Sequence, residues 1–170
     1  MKDVELKLIS ELMKNSRRSD RELAKALGVS QPTVSRAIKK LEKEGMIKEY
    51  TLIPDFRKLG FEIMALSLIK LKKEITEEEN KKLKDYGSEY EKRKPFALAL
   101  AVSGMGAGYD RAMISFHESY GSLTDFINES KQTPWSDFYS YDTFIISLAR
   151  EDHYRFLTFS TVAKYLSMRK

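Results

Sequence analysis

Apolar side chains recur at helical spacing from the first residues of the chain. Leu6, Ile9 and Met13 form one row and Leu8 and Leu12 its neighbour, and Asp3 stands where such a helix would be capped. The polar break Asn15-Ser16-Arg17-Arg18 ends it. Ser19-Asp20-Arg21-Glu22 then has the form of a capping box, in which the serine hydroxyl and the glutamate carboxylate each satisfy a backbone donor of the other residue. The helix it opens runs from Asp20 to Leu27, buries Leu23, Ala24 and Leu27, and stops at Gly28, which is free to take a left-handed conformation. Ser30 is placed to cap a third helix, with Pro32 in the first turn, where its missing N–H costs nothing. Val34, Ile38 and Leu41 give that helix an inward stripe, and Gly45 closes it. Gln31, Thr33, Ser35, Arg36, Lys39, Lys40 and Lys43 are left facing outward.

Two short helices joined by a glycine-containing turn, the second presenting polar and basic residues, have the layout of a helix-turn-helix. Small Ala24 lets the two helices cross closely, and Val29, Val34 and Ala37 fill the angle between them. The plain alternative is a three-helix core with a solvated basic face. Met46 to Ile53 then reads as a strand, which predicts a winged variant and puts Lys48 in reach of a backbone phosphate. Pro54-Asp55-Phe56 and Leu59-Gly60 read as a turn and a linker.

From Phe61 the pattern becomes strand, helix, strand, strand, helix, strand. Phe61 to Leu71 is an apolar, strand-like run. Thr76 followed by Glu77, Glu78 and Glu79 starts a helix whose buried row is Leu83, Tyr86 and Tyr90, closed by Lys92-Arg93-Lys94. In the next strand Phe96, Leu98, Leu100 and Val102 alternate with Ala97, Ala99 and Ala101, a small-residue face suited to close approach of a second subunit's sheet. Ala112, Ile114 and Phe116 mark a third strand, Ser122 caps a short helix carrying Leu123, Phe126 and Ile127, and Phe144, Ile146 and Leu148 mark the last strand. This order is the ferredoxin-like βαββαβ arrangement. Beyond it, Asp152 is placed to cap a final helix with Phe156, Phe159, Ala163 and Leu166 directed at a partner surface. The expected fold is therefore α+β. A winged helix-turn-helix over residues 1–53 and a linker over 54–60 lead to a ferredoxin-like domain over 61–150 and a helical extension over 151–170.

Charge sharpens this division. The formal net charge is +5, from 30 Lys+Arg and 25 Asp+Glu; residues 1–60 hold 14 basic and 9 acidic side chains, and residues 61–170 hold 16 of each. The whole excess sits in the first third, as expected of a nucleic-acid-facing module joined to a neutral one. With no cysteine and two histidines, the chain has neither a disulfide framework nor a thiolate nucleophile, and few good zinc ligands. No apolar run approaches the roughly 20 residues that span a bilayer, and Met1-Lys2-Asp3-Val4-Glu5 does not read as a signal peptide. A soluble, cytoplasmic protein with no membrane partner is expected.

The run Gly28-Val29-Ser30-Gln31-Pro32-Thr33-Val34-Ser35-Arg36, with Ile38-Lys39-Lys40-Leu41-Glu42 and Glu44-Gly45-Met46-Ile47, resembles the DNA-binding domain of the Lrp/AsnC (feast/famine) transcription regulators. The likeness spans about residues 3–60. It implies that the start of the third helix enters the major groove of double-stranded DNA. Gln31, Thr33, Ser35 and Arg36 are then the candidates for base edges or nearby phosphates, with Ser30 and Pro32 beside them in the DNA-binding set, since Arg pairs bidentately with guanine and Gln with adenine. Arg17, Arg18, Lys39, Lys40 and Lys48 are better placed for phosphates, which supply affinity and register.

The second half is similar in pattern to the family's RAM domain, which pairs sheets between subunits. That implies a homodimer, with tetramers or octamers as higher assemblies, and the two-fold symmetry that suits palindromic sites. By the same resemblance, the stretch between the second and third strands, with Gly104, Gly106, Gly108 and Asp110, is the candidate site for a small-molecule effector such as an amino acid. As a nucleotide cradle its glycine spacing is wrong and a strand follows instead of a helix; a flexible hairpin is the other reading. No cofactor is expected. A DNA-binding regulator and no enzyme is the expected function; the alternatives are a DNA-independent ligand-binding protein and an enzyme like the siroheme decarboxylases, which also resemble this family in both domains and use His and Arg on a tetrapyrrole, for which this chain offers His117 and His153.

Overall fold

The computed structural model describes residues 3–73, 75–93, 97–132, 137–150 and 157–168. In chain order the elements are helices α1 (Asp3–Lys14), α2 (Asp20–Leu27) and α3 (Gln31–Lys43), a 3-10 turn (Phe56–Leu59), strand β1 (Ile63–Leu71), helix α4 (Glu77–Arg93), strands β2 (Ala97–Gly106) and β3 (Tyr109–His117), helix α5 (Tyr120–Lys131), strand β4 (Phe138–Ser147) and helix α6 (Ser160–Met168). They form two compact units, residues 1–53 with 154–170, and residues 54–153.

The first unit is held by Leu8 and Leu12 of α1, Leu23 and Ala24 of α2, and Val34 and Leu41 of α3, with Ile9, Leu27, Val29, Ala37, Ile38 and Ile47 around them. The capping box at α2 forms as read: Ser19 accepts from the Glu22 backbone N–H, and Glu22 accepts from that of Ser19. Gly28 ends α2 at φ 67°, and its own N–H donates to the Ala24 carbonyl. Ser30 occupies the N-cap of α3, but its hydroxyl pairs with that of Thr33 at 2.8 Å and makes no capping bond to the backbone.

A helix apolar on two sides needs two partners, and α1 has them. Its Leu8–Leu12 side faces α2 and α3; its other side meets α6, where buried Ser10 donates to the Ala163 carbonyl at 2.8 Å. Ser10 and Ala163 are both small, so the helices approach closely. Ala163 is buried here, whereas Phe159, Val162, Tyr165 and Met168 remain exposed. Asp152, His153 and Phe156 lie outside the described residues, as do Lys94 and Phe96.

The segment expected as a strand, Met46–Ile53, runs as irregular chain. A strand needs a neighbour to take its N–H and C=O groups, and among the described residues none lies beside it. Tyr50 instead donates its hydroxyl to Glu42 at 3.1 Å.

The second unit is a four-stranded antiparallel sheet in the order β2-β3-β1-β4, the ferredoxin-like topology expected. Ile63, Ala65, Ser67 and Ile69 of β1 point to the buried face, where Leu123 and Ile127 of α5 pack on Ile63 and Ala65. The opposite face carries Leu66 with its register partners Ile114 and Phe144, together with Leu68, Leu100 and Val102. Phe56 of the 3-10 turn stacks on Phe116 at this face, centroids 3.8 Å apart.

Two expectations are corrected in detail. Leu98 pairs with Ser115 but Leu100 pairs with Ile114, so a bulge at Ala99 reverses the phase of β2. Leu98 and Leu100 therefore point to opposite faces instead of one. The cap of α5 is Ser119, whose hydroxyl accepts from the Ser122 N–H; Ser122 is its capping-box partner three positions in. At α4 the expected pair forms, with Thr76 and Glu79 accepting from each other's backbone N–H at 3.2 and 2.9 Å.

Candidate nucleic-acid interface

Because Val34 and Leu41 are sunk in the core, the residues about half a turn away on α3 must face water. At 100° per residue Pro32, Arg36, Lys39 and Lys43 share the row opposite that stripe, and all four are exposed. Gln31 is exposed and Ser35 half-buried on one flank, while half-buried Thr33 lies on the other, tied to Ser30. Arg36 Nε donates back to the Pro32 carbonyl at 3.2 Å, which holds the guanidinium along the helix while its outer N–H groups stay open. Among the described residues, no carboxylate pairs with Arg17, Arg36, Lys39, Lys43 or Lys48. Lys48 folds back over the end of α3, its ammonium 3.9 Å from where a Cβ on Gly45 would stand.

Two of the expected phosphate contacts are held within the protein. Arg18 pairs with Glu11, whose carboxyl is kept below its usual range chiefly by Lys14 and also by Arg18. The Lys40 ammonium sits 2.7 Å from Glu5 Oε1, which raises its pKa. Sequence reasoning missed Glu5 as a partner, although it falls on the buried row Glu5, Leu8, Leu12 and so announces a carboxylate needing a cation.

The glycine stretch folds as a tight hairpin. Gly104 and Gly106 lie within β2, and Ala107 (φ 50°) and Gly108 (φ 83°) are the two turn residues between Gly106 and Tyr109. Positive φ at both positions gives the turn the hand that matches strand twist. Asp110 accepts from the Leu71 N–H at 2.9 Å and from Lys70 at 3.1 Å, and these contacts lower its pKa, the backbone N–H most. The carboxylate thus fastens the hairpin to the end of β1.

His117 is buried at 5% exposure, its Nε2 2.8 Å from Ser115 Oγ and its ring 5.3 Å from that of Phe126. Burial pushes its pKa below the ordinary 6.5. The fold therefore favours the neutral ring, while the unfolded chain takes a proton more readily. Stability is retained above the ordinary value and falls as pH drops through the lowered one. Urea midpoints should decline on acidification below about pH 6.5, and His117→Gln should flatten that decline; an unchanged profile would show that the ring is not what acid attacks.

Residues 1–48 match a family described as winged helix-turn-helix DNA-binding. PH0061 of Pyrococcus horikoshii, an uncharacterized HTH-type transcriptional regulator, is 44% identical over 69 residues, 41% of this chain and 46% of that one. LrpC of Bacillus subtilis is 41% identical over 63 residues, 37% and 44% of the two chains. The matched stretch thus spans about half the length of these curated relatives. In structure the likeness runs further: PH0061 aligns at TM-score 0.72 and 25% identity over 93% of this chain and 97% of that one, and LrpC at 0.66 and 28% over 86% and 94%. AsnC of Escherichia coli, at 22% identity and TM-score 0.64 over 92% and 97%, shares the fold. No helix among the described residues is long and apolar enough to cross a membrane. The helix-turn-helix and the βαββαβ unit that follows it are thus similar in order and fold to those of PH0061 and LrpC, and residues 1–48 carry the winged helix-turn-helix DNA-binding match.

Proposed function

We propose that the protein is a sequence-specific DNA-binding regulator of transcription, acting in the cytoplasm as a homodimer on two-fold-related sites. One observation carries this reading. The row Arg36, Lys39 and Lys43 faces water without carboxylate partners among the described residues, on a helix whose other side is fixed in the core. Such a surface offers cations to phosphates and a fork of N–H donors to a guanine edge. Gln31, Ser35 and Arg36 are our candidates for bases, with Ser30, Pro32 and Thr33 shaping the helix start; Arg17, Lys39 and Lys48 are those for phosphates.

Dimerisation is assigned to the open sheet face. Leu100 and Val102 are each 42% exposed and Phe144 68%, on a face that also carries Leu66, Leu68 and Ile114. Covering that apolar surface is the natural driving force for association. Gly104, Gly106, Gly108 and Asp110 stand at the end of the same sheet as the candidate place for sensing a small molecule, an amino acid by family likeness.

The test is a selection from random duplexes. An enriched motif with two-fold related halves is the expected result, and its absence would refute the sequence-specific reading. Repeating the selection with each amino acid present reports on the effector: a changed yield supports the hairpin assignment, and identical yields remove it.

A further inference from the structure

Lys40 stands apart from the other cations of α3. Its partner Glu5 lies 35 positions earlier, on α1, and the carboxylate is only 8% exposed; Glu44 adds a second, looser contact at 3.7 Å. A carboxylate that deep is tolerated because it has a cation beside it. Lys40 is also turned some 100° round the helix from Lys39, onto the flank that meets α1. The pair therefore crosses between two helices that share the apolar cluster of Leu8, Leu12, Val34 and Leu41. Apolar side chains can slide along one another, whereas an ion pair with a fixed donor and acceptor sets one register.

We infer that Lys40 is a positioning residue, tied to Glu5, which sets how the recognition helix lies on α1, and that the phosphate contacts of this helix belong to Lys39 and its neighbours in the outward row. The inference rests on the DNA-binding reading above. It has a counterintuitive consequence. Were Lys40 a phosphate ligand, Glu5 would compete with DNA for it, and neutralising Glu5 would strengthen binding. As part of a clamp, neutralising Glu5 weakens it.

The experiment measures affinity for a labelled mixed-sequence duplex against salt concentration, for wild type, Lys39→Met, Lys40→Met and Glu5→Gln. Thermal melts identify any variant that fails to fold. Lys39→Met should flatten the slope of log affinity against log salt by about 0.9, the value of one phosphate contact. Lys40→Met should lose affinity several-fold at an unchanged slope. Glu5→Gln, which keeps the shape and an acceptor oxygen, should fold, bind several-fold less tightly, and add little further loss in combination with Lys40→Met. A flattened slope in Lys40→Met, or tighter binding by Glu5→Gln, would overturn the inference; Glu5→Gln decides the matter alone if Lys40→Met does not fold. Failure of the wild type to bind duplex DNA would instead strike the DNA-binding reading itself, and the inference with it.

Discussion

Leu8→Ala should cost about 2–5 kcal/mol of unfolding free energy, the range for emptying a leucine-sized site in a packed core. Leu8 is fully buried where α1 meets α2 and α3, among Leu12, Leu23, Ala24, Val34 and Leu41. These are few side chains, and a small domain is stable by only about 5–15 kcal/mol in all. The loss should therefore be conspicuous as a lowered urea midpoint with an unchanged slope. Duplex affinity should fall with it, because the same leucine supports the inward face of α3. A variant destabilised by less than about 1 kcal/mol would mean that neighbouring side chains collapse into the space more readily than close packing allows.

Arg36→Ala should erode specificity. If the guanidinium grips a guanine with two N–H groups, the loss is about 1–3 kcal/mol against the preferred site, roughly fivefold to 150-fold in affinity. Its Nε already serves the Pro32 carbonyl, which leaves the terminal nitrogens for the base and fixes the plane in which they are presented. Affinity for unrelated duplexes should change much less, through the loss of one charge. The decisive comparison is the ratio of preferred to unrelated duplex affinity, measured at one salt concentration. An equal drop for both duplexes would reassign Arg36 to a phosphate.

Much of the first unit was legible because its signals are local. The Ser19–Glu22 box, Gly28 and Pro32 act within one helical turn, so sequence spacing alone determines their partners. The sheet order was legible for a similar reason, since alternation and short connections leave few arrangements. What escaped the sequence depends on partners far along the chain. The bulge at Ala99 follows from the register of β2 against β3, and nothing in an alternating Ala/Leu run marks the residue where the phase slips. Met46–Ile53 has strand-like composition, yet strand formation requires a neighbour that composition does not supply. Lys40 reads as one more outward lysine until Glu5, far off in sequence, is found beside it. Ser122 reads as the cap of α5 in sequence, and only the path of the chain after β3 puts Ser119 in that place.

The junction of α1 with α6 bears on how the chain is made. The two helices belong to one unit, but the whole βαββαβ sheet is encoded between them. As the chain leaves the ribosome, α1, α2 and α3 can settle around their shared leucines early, while the flank of α1 around Ser10 stays uncovered until about 150 further residues have been added. Helix α1 is thus completed by a segment that leaves the ribosome after the whole sheet. Its final hydrogen bond forms only after the sheet has had the opportunity to fold, so this unit cannot be reproduced in full by expressing residues 1–53 alone.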